Sequence, residues 1–110
     1  MITLGVIPTT YSGIVFRSRL DARWALFFDH LGIQWEYEPE AFRLGDGRGY
    51  LPDFSLPRFN GGIFAEVKTE GDSFEKAIMF AESGHGVWLC EGTPRFEPYV
   101  FVTGADGVPL

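Results

Sequence analysis

The order of helix-like and strand-like segments constrains the fold of this chain most strongly. Ser18 and Asp21 have the spacing of a capping box, in which each side chain bonds a main-chain amide at the start of a helix. The apolar residues that follow at the spacing of one helix face are Leu20, Trp24, Phe27 and Leu31. Gly32 then favours a helix end. The pattern predicts a first helix over residues 18–31.

Short segments rich in β-branched and aromatic residues surround this helix. The predicted strands are residues 1–7, 33–38, 41–44, 50–56, 62–67, 87–90 and 99–102. The Gly45-Asp46-Gly47 sequence predicts a turn that joins residues 41–44 to residues 50–56 as a hairpin. Pro8, Thr9 and Thr10 predict another turn.

A second helix is predicted over residues 72–83, with Asp72 or Ser73 as its cap and Gly84 at its end. Its predicted apolar stripe is Phe74, Ala77, Ile78 and Ala81. A helix, three strands, a helix and two more strands in 110 residues suit one domain. We therefore expect a single α/β domain in which helices flank a mixed sheet.

Composition limits the kinds of site that this domain can carry. Cys90 is the single cysteine and the chain has two histidines, so an internal disulfide is excluded and a structural zinc site lacks ligands. A metal would have to be held by oxygen atoms. The chain contains no apolar run of the roughly 20 residues that a membrane span requires and no pattern of a signal peptide. We expect a cytoplasmic protein without a membrane partner.

Acidic and basic residues at three positions form the strongest candidate site. Asp53 follows Pro52 in one predicted strand, and Glu66 and Lys68 lie two residues apart in the next. Side chains two apart in a strand share a face, while Val67 between them points away. If the two strands pair, Asp53 approaches Glu66.

Two such carboxylates suit Mg²⁺ or Mn²⁺, which activates water and neutralises charge on a phosphodiester. The main-chain carbonyl of Val67 is a candidate further ligand. Lys68 has three open roles: it orients the attacking water, helps to deprotonate it, or stabilises the negative charge of the transition state.

Pro52-Asp53 followed by Glu66-Val67-Lys68 resembles the active-site motif of the PD-(D/E)xK nuclease superfamily. The segments 16–25, 35–39 and 50–54 also resemble a group of small phage and bacterial nuclease-like proteins in that superfamily, and the resemblance extends from Tyr11 to Gly92. It implies a restriction-endonuclease-like core and a metal-dependent endonuclease that hydrolyses DNA, with RNA left open. Asp53, Glu66 and Lys68 would be catalytic, and Asp53, Glu66 and Val67 would bind the metal.

Asp21 is a further candidate catalytic residue that the resemblance implies. In the superfamily an acidic residue of the first helix often completes the metal site, and related sequences commonly have glutamate where this chain has Asp21. The aspartate is one methylene shorter. It reaches the metal directly, acts through water, or serves the helix cap alone.

Three arginines, Arg17, Arg19 and Arg23, lie at the start of the first helix and are candidate phosphate contacts. Solvated helix charges are the alternative interpretation. The net charge of −6 opposes nucleic-acid binding, unless carboxylates converge on divalent cations and the arginines share one face.

The small size leaves no room for a separate target-recognition domain, so we expect structure-guided cleavage or a homodimer. The main alternative is a catalytically inactive module that binds nucleic acid or protein on the same fold. A structural protein with incidental carboxylates is a further alternative.

Overall fold

A computed structural model of the chain describes residues 7–95 and 100–102. Two helices, α1 (Arg19–His30) and α2 (Glu75–Glu82), accompany the strands in this part of the chain. The strands are β1 (Thr9–Tyr11), β2 (Ile14–Phe16), β3 (Glu36–Tyr37), β4 (Phe42–Arg43), β5 (Gly49–Tyr50), β6 (Phe54–Leu56), β7 (Ile63–Lys68), β8 (Val87–Glu91) and β9 (Val100–Val102).

Five of these strands form a mixed sheet in the order β3-β6-β7-β8-β9. The β7–β8 pair is parallel, and the other neighbouring strands are antiparallel. Helix α2 provides the crossover that a parallel pair requires. The predicted mixed α/β architecture is therefore confirmed.

The two faces of this sheet carry different cores. Helix α1 packs through Trp24 and Phe28 on one face, against Ala65, Trp88 and other side chains of β6, β7 and β8. Helix α2 packs on the opposite face against Val87 and against the β4–β5 hairpin. The helices thus flank the sheet, as the sequence predicted.

Helix α1 agrees with its predicted bounds, because Ser18 is the N-cap and Leu31 the C-cap. The main-chain N–H of Asp21 donates to Ser18 Oγ at 3.0 Å. The predicted apolar stripe is wrong at its last position, since Leu31 is 49% exposed while Phe28 is fully buried. Leu31 is the C-cap and lies beyond Phe28, the last buried residue of the helix.

Several strand predictions require correction. The predicted strand 33–38 is reduced to β3, and the predicted strand 50–56 is divided into β5 and β6 by Leu51, Pro52 and Asp53, because Pro52 lacks the N–H that a ladder needs. The predicted hairpin between residues 41–44 and 50–56 is confirmed as β4–β5.

The predicted turn at residues 8–10 is also wrong, since Thr9 begins strand β1. The chain turns instead at Ser12 and Gly13, where both residues have positive φ, as a two-residue hairpin loop of this kind requires. The predicted strand 1–7 falls outside the described residues except for residue 7, and residue 99 of the last predicted strand also falls outside them.

Helix α2 begins later than predicted, with Phe74 as N-cap in place of Asp72 or Ser73. Asp72 and Ser73 accept hydrogen bonds from the nearby main-chain amides of Ser73 and Glu75, and these local bonds compete with a cap. Ile78 was predicted to be buried but is 43% exposed, and Phe80 is buried instead. No helix in residues 7–95 or 100–102 is long and apolar enough to cross a membrane.

Candidate active site

Strand pairing brings Asp53 to the side of Glu66. Phe54 pairs with Ala65 in the antiparallel β6–β7 ladder, so the residue before Phe54 lies beside the residue after Ala65. The main-chain N–H of Val67 donates to Asp53 Oδ2 at 2.7 Å. The predicted approach of Asp53 to β7 is thus present in the structure.

Glu66 and Lys68 project from the same face of β7, as their spacing predicts. Lys68 Nζ lies 3.7 Å from Glu66 Oε2, and the hydroxyl of Tyr50 donates to Glu66 Oε1 at 2.7 Å. Glu66 is only 6% exposed. Both of its carboxylate oxygens therefore face a positively charged or hydrogen-donating group.

The site favours the protonated forms of its carboxyl groups. Burial raises the pKa of Asp53 to about 8, and the negative charges of Glu66 and then Asp21 add to this effect. Burial also raises the pKa of Glu66, although the hydrogen bond from Tyr50 and the charge of Lys68 oppose the change. Two carboxylates therefore meet where water solvates them poorly and where one ammonium group is present.

Asp21 is close enough to Asp53 and Glu66 to raise their pKa values, but its side chain is hydrogen-bonded to Tyr37. The hydroxyl of Tyr37 donates to Asp21 Oδ2 at 2.6 Å and accepts a bond from the Arg17 main-chain N–H at 3.2 Å. Asp21 is 7% exposed, and burial is the main cause that raises its pKa. The side chain of Arg17 forms a 2.6 Å ion pair with Glu38.

The carboxylate oxygens of Asp53 and Glu66 are of the type that small divalent cations prefer. In a strand, the main-chain N–H and C=O of one residue point to the same side. Because the Val67 N–H donates to Asp53, the Val67 carbonyl also points to the side of β7 on which Asp53 lies. No three His, Cys, Asp or Glu side chains converge on one point in the part of the chain that the structure describes. Two carboxylates and a carbonyl suit Mg²⁺ or Mn²⁺, because Mg²⁺ usually retains several water ligands.

A cleft of about 410 Å³ opens beside Glu66 and Lys68, between the β4–β5 hairpin and the start of α2. We call it the Lys68 cleft, and its walls include Tyr50, Ser73 and Lys76. The Lys76 ammonium donates to the main-chain carbonyl of Gly49 at 3.3 Å, and Arg48 pairs with Glu75 at 3.0 Å. These contacts connect the hairpin to α2 across the cleft.

A second groove, of about 350 Å³, lies between α1 and the segments that follow β7 and β8. We call it the arginine groove, because Arg19 and Arg23 line it together with Thr69 and Thr93. Both arginines are exposed. The main-chain N–H of Gly92 donates to the Lys68 carbonyl at 2.8 Å, so this groove adjoins the end of β7 that carries Lys68.

Sequence reasoning did not identify Tyr50 and Tyr37 as partners of the acidic residues. Each tyrosine carries a hydroxyl on a ring that packs against other aromatic side chains, and a buried hydroxyl usually requires a hydrogen-bond partner. That requirement is the available sequence-level indication, but it does not say which carboxylate is the partner.

Comparison of the chain with protein-family models, with curated proteins and with solved structures finds no match.

Proposed function

We propose that this protein is a metal-dependent nuclease of the PD-(D/E)xK type that hydrolyses phosphodiester bonds in DNA. One observation carries the proposal: Asp53 and Glu66 meet beside Lys68 in a partly buried site at the edge of the β6–β7 pair. These are the residues whose motif suggested the superfamily. The two short motifs lie on neighbouring strands, and an incidental resemblance would not require their side chains to converge.

The charge of the site supports a cationic ligand. Burial and mutual repulsion raise the pKa of Asp53, so the ionised pair destabilises the metal-free fold. Strongly perturbed carboxyl groups in a cleft are characteristic of functional sites. A divalent cation between Asp53 and Glu66 would offset this repulsion.

In the proposed site, Asp53, Glu66 and the carbonyl of Val67 hold Mg²⁺ or Mn²⁺. Such an ion would supply an activated water molecule and would neutralise charge on the phosphate. Lys68 has no lone pair while it is protonated, so it does not coordinate the ion. From its position 3.7 Å from Glu66, Lys68 acts on the attacking water or on the phosphate.

The grooves on either side of Lys68 support a polymeric substrate. The Lys68 cleft is lined in part by Glu66, and the arginine groove offers Arg19 and Arg23 to neighbouring phosphates. Arg17 pairs with Glu38, but its side chain is 72% exposed, and we keep it as a candidate phosphate contact. We propose DNA as this substrate and include RNA among the test substrates.

We also propose that the five-stranded sheet is a restriction-endonuclease-like core. The acidic residue after proline lies at the start of β6, and the Glu-x-Lys sequence lies on its central antiparallel neighbour β7. Asp21 of α1 lies near enough to raise the pKa of Asp53, which supports a role for this acid close to the metal, directly or through water.

The experiment is a cleavage assay with purified protein and Mg²⁺ or Mn²⁺ on linear, branched, mismatched and single-stranded DNA and on RNA. We expect cleavage of DNA, and we expect Lys68→Ala to lower kcat by about 100-fold or more, as for other groups that stabilise transition-state charge. Lys68→Ala should keep the rise in Tm that the metal causes, whereas Glu66→Ala should abolish it. Arg58→Ala removes a cation from the opposite end of β7 and serves as the control.

Two results would contradict the proposal. If the protein binds one of the nucleic acids but cleaves none with either metal, the inactive binding module replaces the nuclease. If Lys68→Ala cleaves as fast as the parent, the activity comes from a contaminant or the site is misassigned.

A further inference from the structure

The Tyr50 hydroxyl contacts the candidate metal ligand Glu66 from outside the main sheet. Tyr50 belongs to β5, which pairs with β4 in a separate two-stranded sheet. It is 5% exposed, and its hydroxyl donates to Glu66 Oε1 at 2.7 Å. The proposed chemistry assigns no role to this bond.

Tyr50 is held in place by contacts that do not involve Glu66. Its ring lies 5.0 Å from the ring of Phe80 on α2, and both side chains belong to one buried apolar cluster. Next to Tyr50, the carbonyl of Gly49 accepts the bond from Lys76 of α2. The position of the Tyr50 ring is therefore fixed by packing that does not depend on Glu66.

The bond restricts the terminal torsion of the Glu66 side chain. The terminal torsion of a glutamate is broad, so a lone Glu66 carboxylate would sample several orientations. With Oε1 held by Tyr50, Oε2 is the oxygen that faces Lys68, 3.7 Å away. The carboxylate is thus held in one orientation before any cation binds.

We infer that Tyr50 is a positioning residue that holds Glu66 in the orientation in which it binds the divalent cation. The inference rests on the proposed function, since it takes Glu66 as a metal ligand. Partners that orient a metal ligand typically contribute about 10–100-fold to metal affinity or activity. Tyr50 acts through Glu66 and contacts neither the cation nor the substrate in this assignment.

Tyr50→Phe tests the inference, because it removes the hydroxyl and keeps the ring that packs on Phe80. The first measurement is a titration with Mn²⁺ alone, without nucleic acid. Calorimetry and the rise in Tm report the binding. We expect Mn²⁺ affinity to fall by about 10–100-fold. The second measurement is steady-state cleavage at fixed Mn²⁺, where kcat should fall and KM for DNA should stay unchanged.

Tyr11→Phe is the matched control. The Tyr11 hydroxyl also donates to a carboxylate, that of Asp29 on α1, on an exposed part of the surface. This variant loses the same kind of bond at a place outside the proposed site, so its Mn²⁺ affinity should equal that of the parent.

Unchanged or tighter Mn²⁺ binding by Tyr50→Phe would overturn the inference. Loss of cooperative unfolding by Tyr50→Phe in EDTA would also overturn it, because the role of the hydroxyl would then be structural. Failure of the proposed function looks different: the parent binds Mn²⁺ but cleaves no nucleic acid, and the Mn²⁺ titration of Tyr50→Phe still decides the role of Tyr50.

Discussion

Ionisation of Asp53 affects the stability of the metal-free protein. Its pKa rises from 3.8 to about 8 on folding, through burial and then through Glu66 and Asp21. The folded state thus binds the Asp53 proton more tightly than the unfolded state does. This contribution to stability is complete below the unfolded pKa of 3.8 and is lost as the pH rises through about 8.

We therefore predict that the free energy of unfolding in EDTA decreases as the pH rises from about 5 to about 9, and that Asp53→Asn removes much of the decrease. At about pH 9 the free energy of unfolding of Asp53→Asn should exceed that of the parent by at least about 1.4 kcal/mol, the equivalent of one pKa unit. Urea denaturation across this range provides the measurement.

Asp46→Asn is a suitable control for this experiment. The Arg48 main-chain bond to exposed Asp46 is the main cause that holds the pKa of that carboxyl below its usual value, so Asp46 stays ionised throughout the range. If the free energy of unfolding of Asp53→Asn decreases with pH as steeply as that of the parent, other groups cause the pH dependence.

The parallel strands β7 and β8 are joined at a close contact between the backbone of Gly86 and the side chain of Ile63. A Cβ atom added at Gly86 would lie 2.7 Å from Cγ2 of Ile63, and the Gly86 carbonyl accepts the main-chain bond from Phe64 at 2.9 Å. Gly86→Ala would therefore separate the first residues of the parallel pair or displace Ile63 from the core.

We predict that Gly86→Ala lowers the free energy of unfolding by about 1–3 kcal/mol, the usual range for overpacking. Chemical denaturation measures the change. Gly45→Ala is the matched variant, because a Cβ there meets no atom within 4 Å. Equal stability of the two variants would mean that the β7–β8 pair adjusts to the methyl group without strain.

The helices were predictable where local chemistry decides them. Ser18 caps α1 because its hydroxyl bonds an amide three residues later, and that information is contained in the spacing. At α2, Asp72 and Ser73 had the residue types of caps but make other local bonds, so Phe74 became the N-cap. Residue type alone does not distinguish these two uses.

The candidate site was predictable only along the β6–β7 pair. Alternation within β7 and antiparallel pairing with β6 place Asp53, Glu66 and Lys68 together. The bonds from Tyr50 and Tyr37 depend on how a separate hairpin and the short strand β3 pack on the sheet. Such packing arises from contacts between residues distant in sequence, which a local pattern does not contain.

For the whole molecule, the distribution of charge matters more than the total of −6. Exposed Arg19 and Arg23 line the groove beside the carboxyl ends of the parallel strands β7 and β8, and crevices at this edge of α/β sheets commonly bind ligands. The position of these arginines is the reason to expect phosphate binding by an acidic chain.

We predict that Arg19→Ala or Arg23→Ala weakens nucleic-acid binding and lowers the slope of log affinity against log salt by about one unit, because each lost phosphate contact releases one counterion fewer. Fluorescence anisotropy at several salt concentrations measures the slope. Arg58→Ala, in the loop at the other end of β7, should keep the parent slope. If Arg19→Ala and Arg23→Ala also keep the parent slope, the two arginines are solvated charges on the helix and do not contact phosphate.

The pairing of Phe54 with Ala65 has a consequence for how the gene for this protein tolerates changes in length. One codon lost or gained between Asp53 and Leu56 turns the adjoining residues before it to the other side of the sheet, so Asp53 would be directed at the aromatic core. One codon gained in the loop at residues 57–62 leaves the pairing intact. Within residues 53–68, a length change that keeps Asp53 beside Glu66 should therefore be confined to that loop.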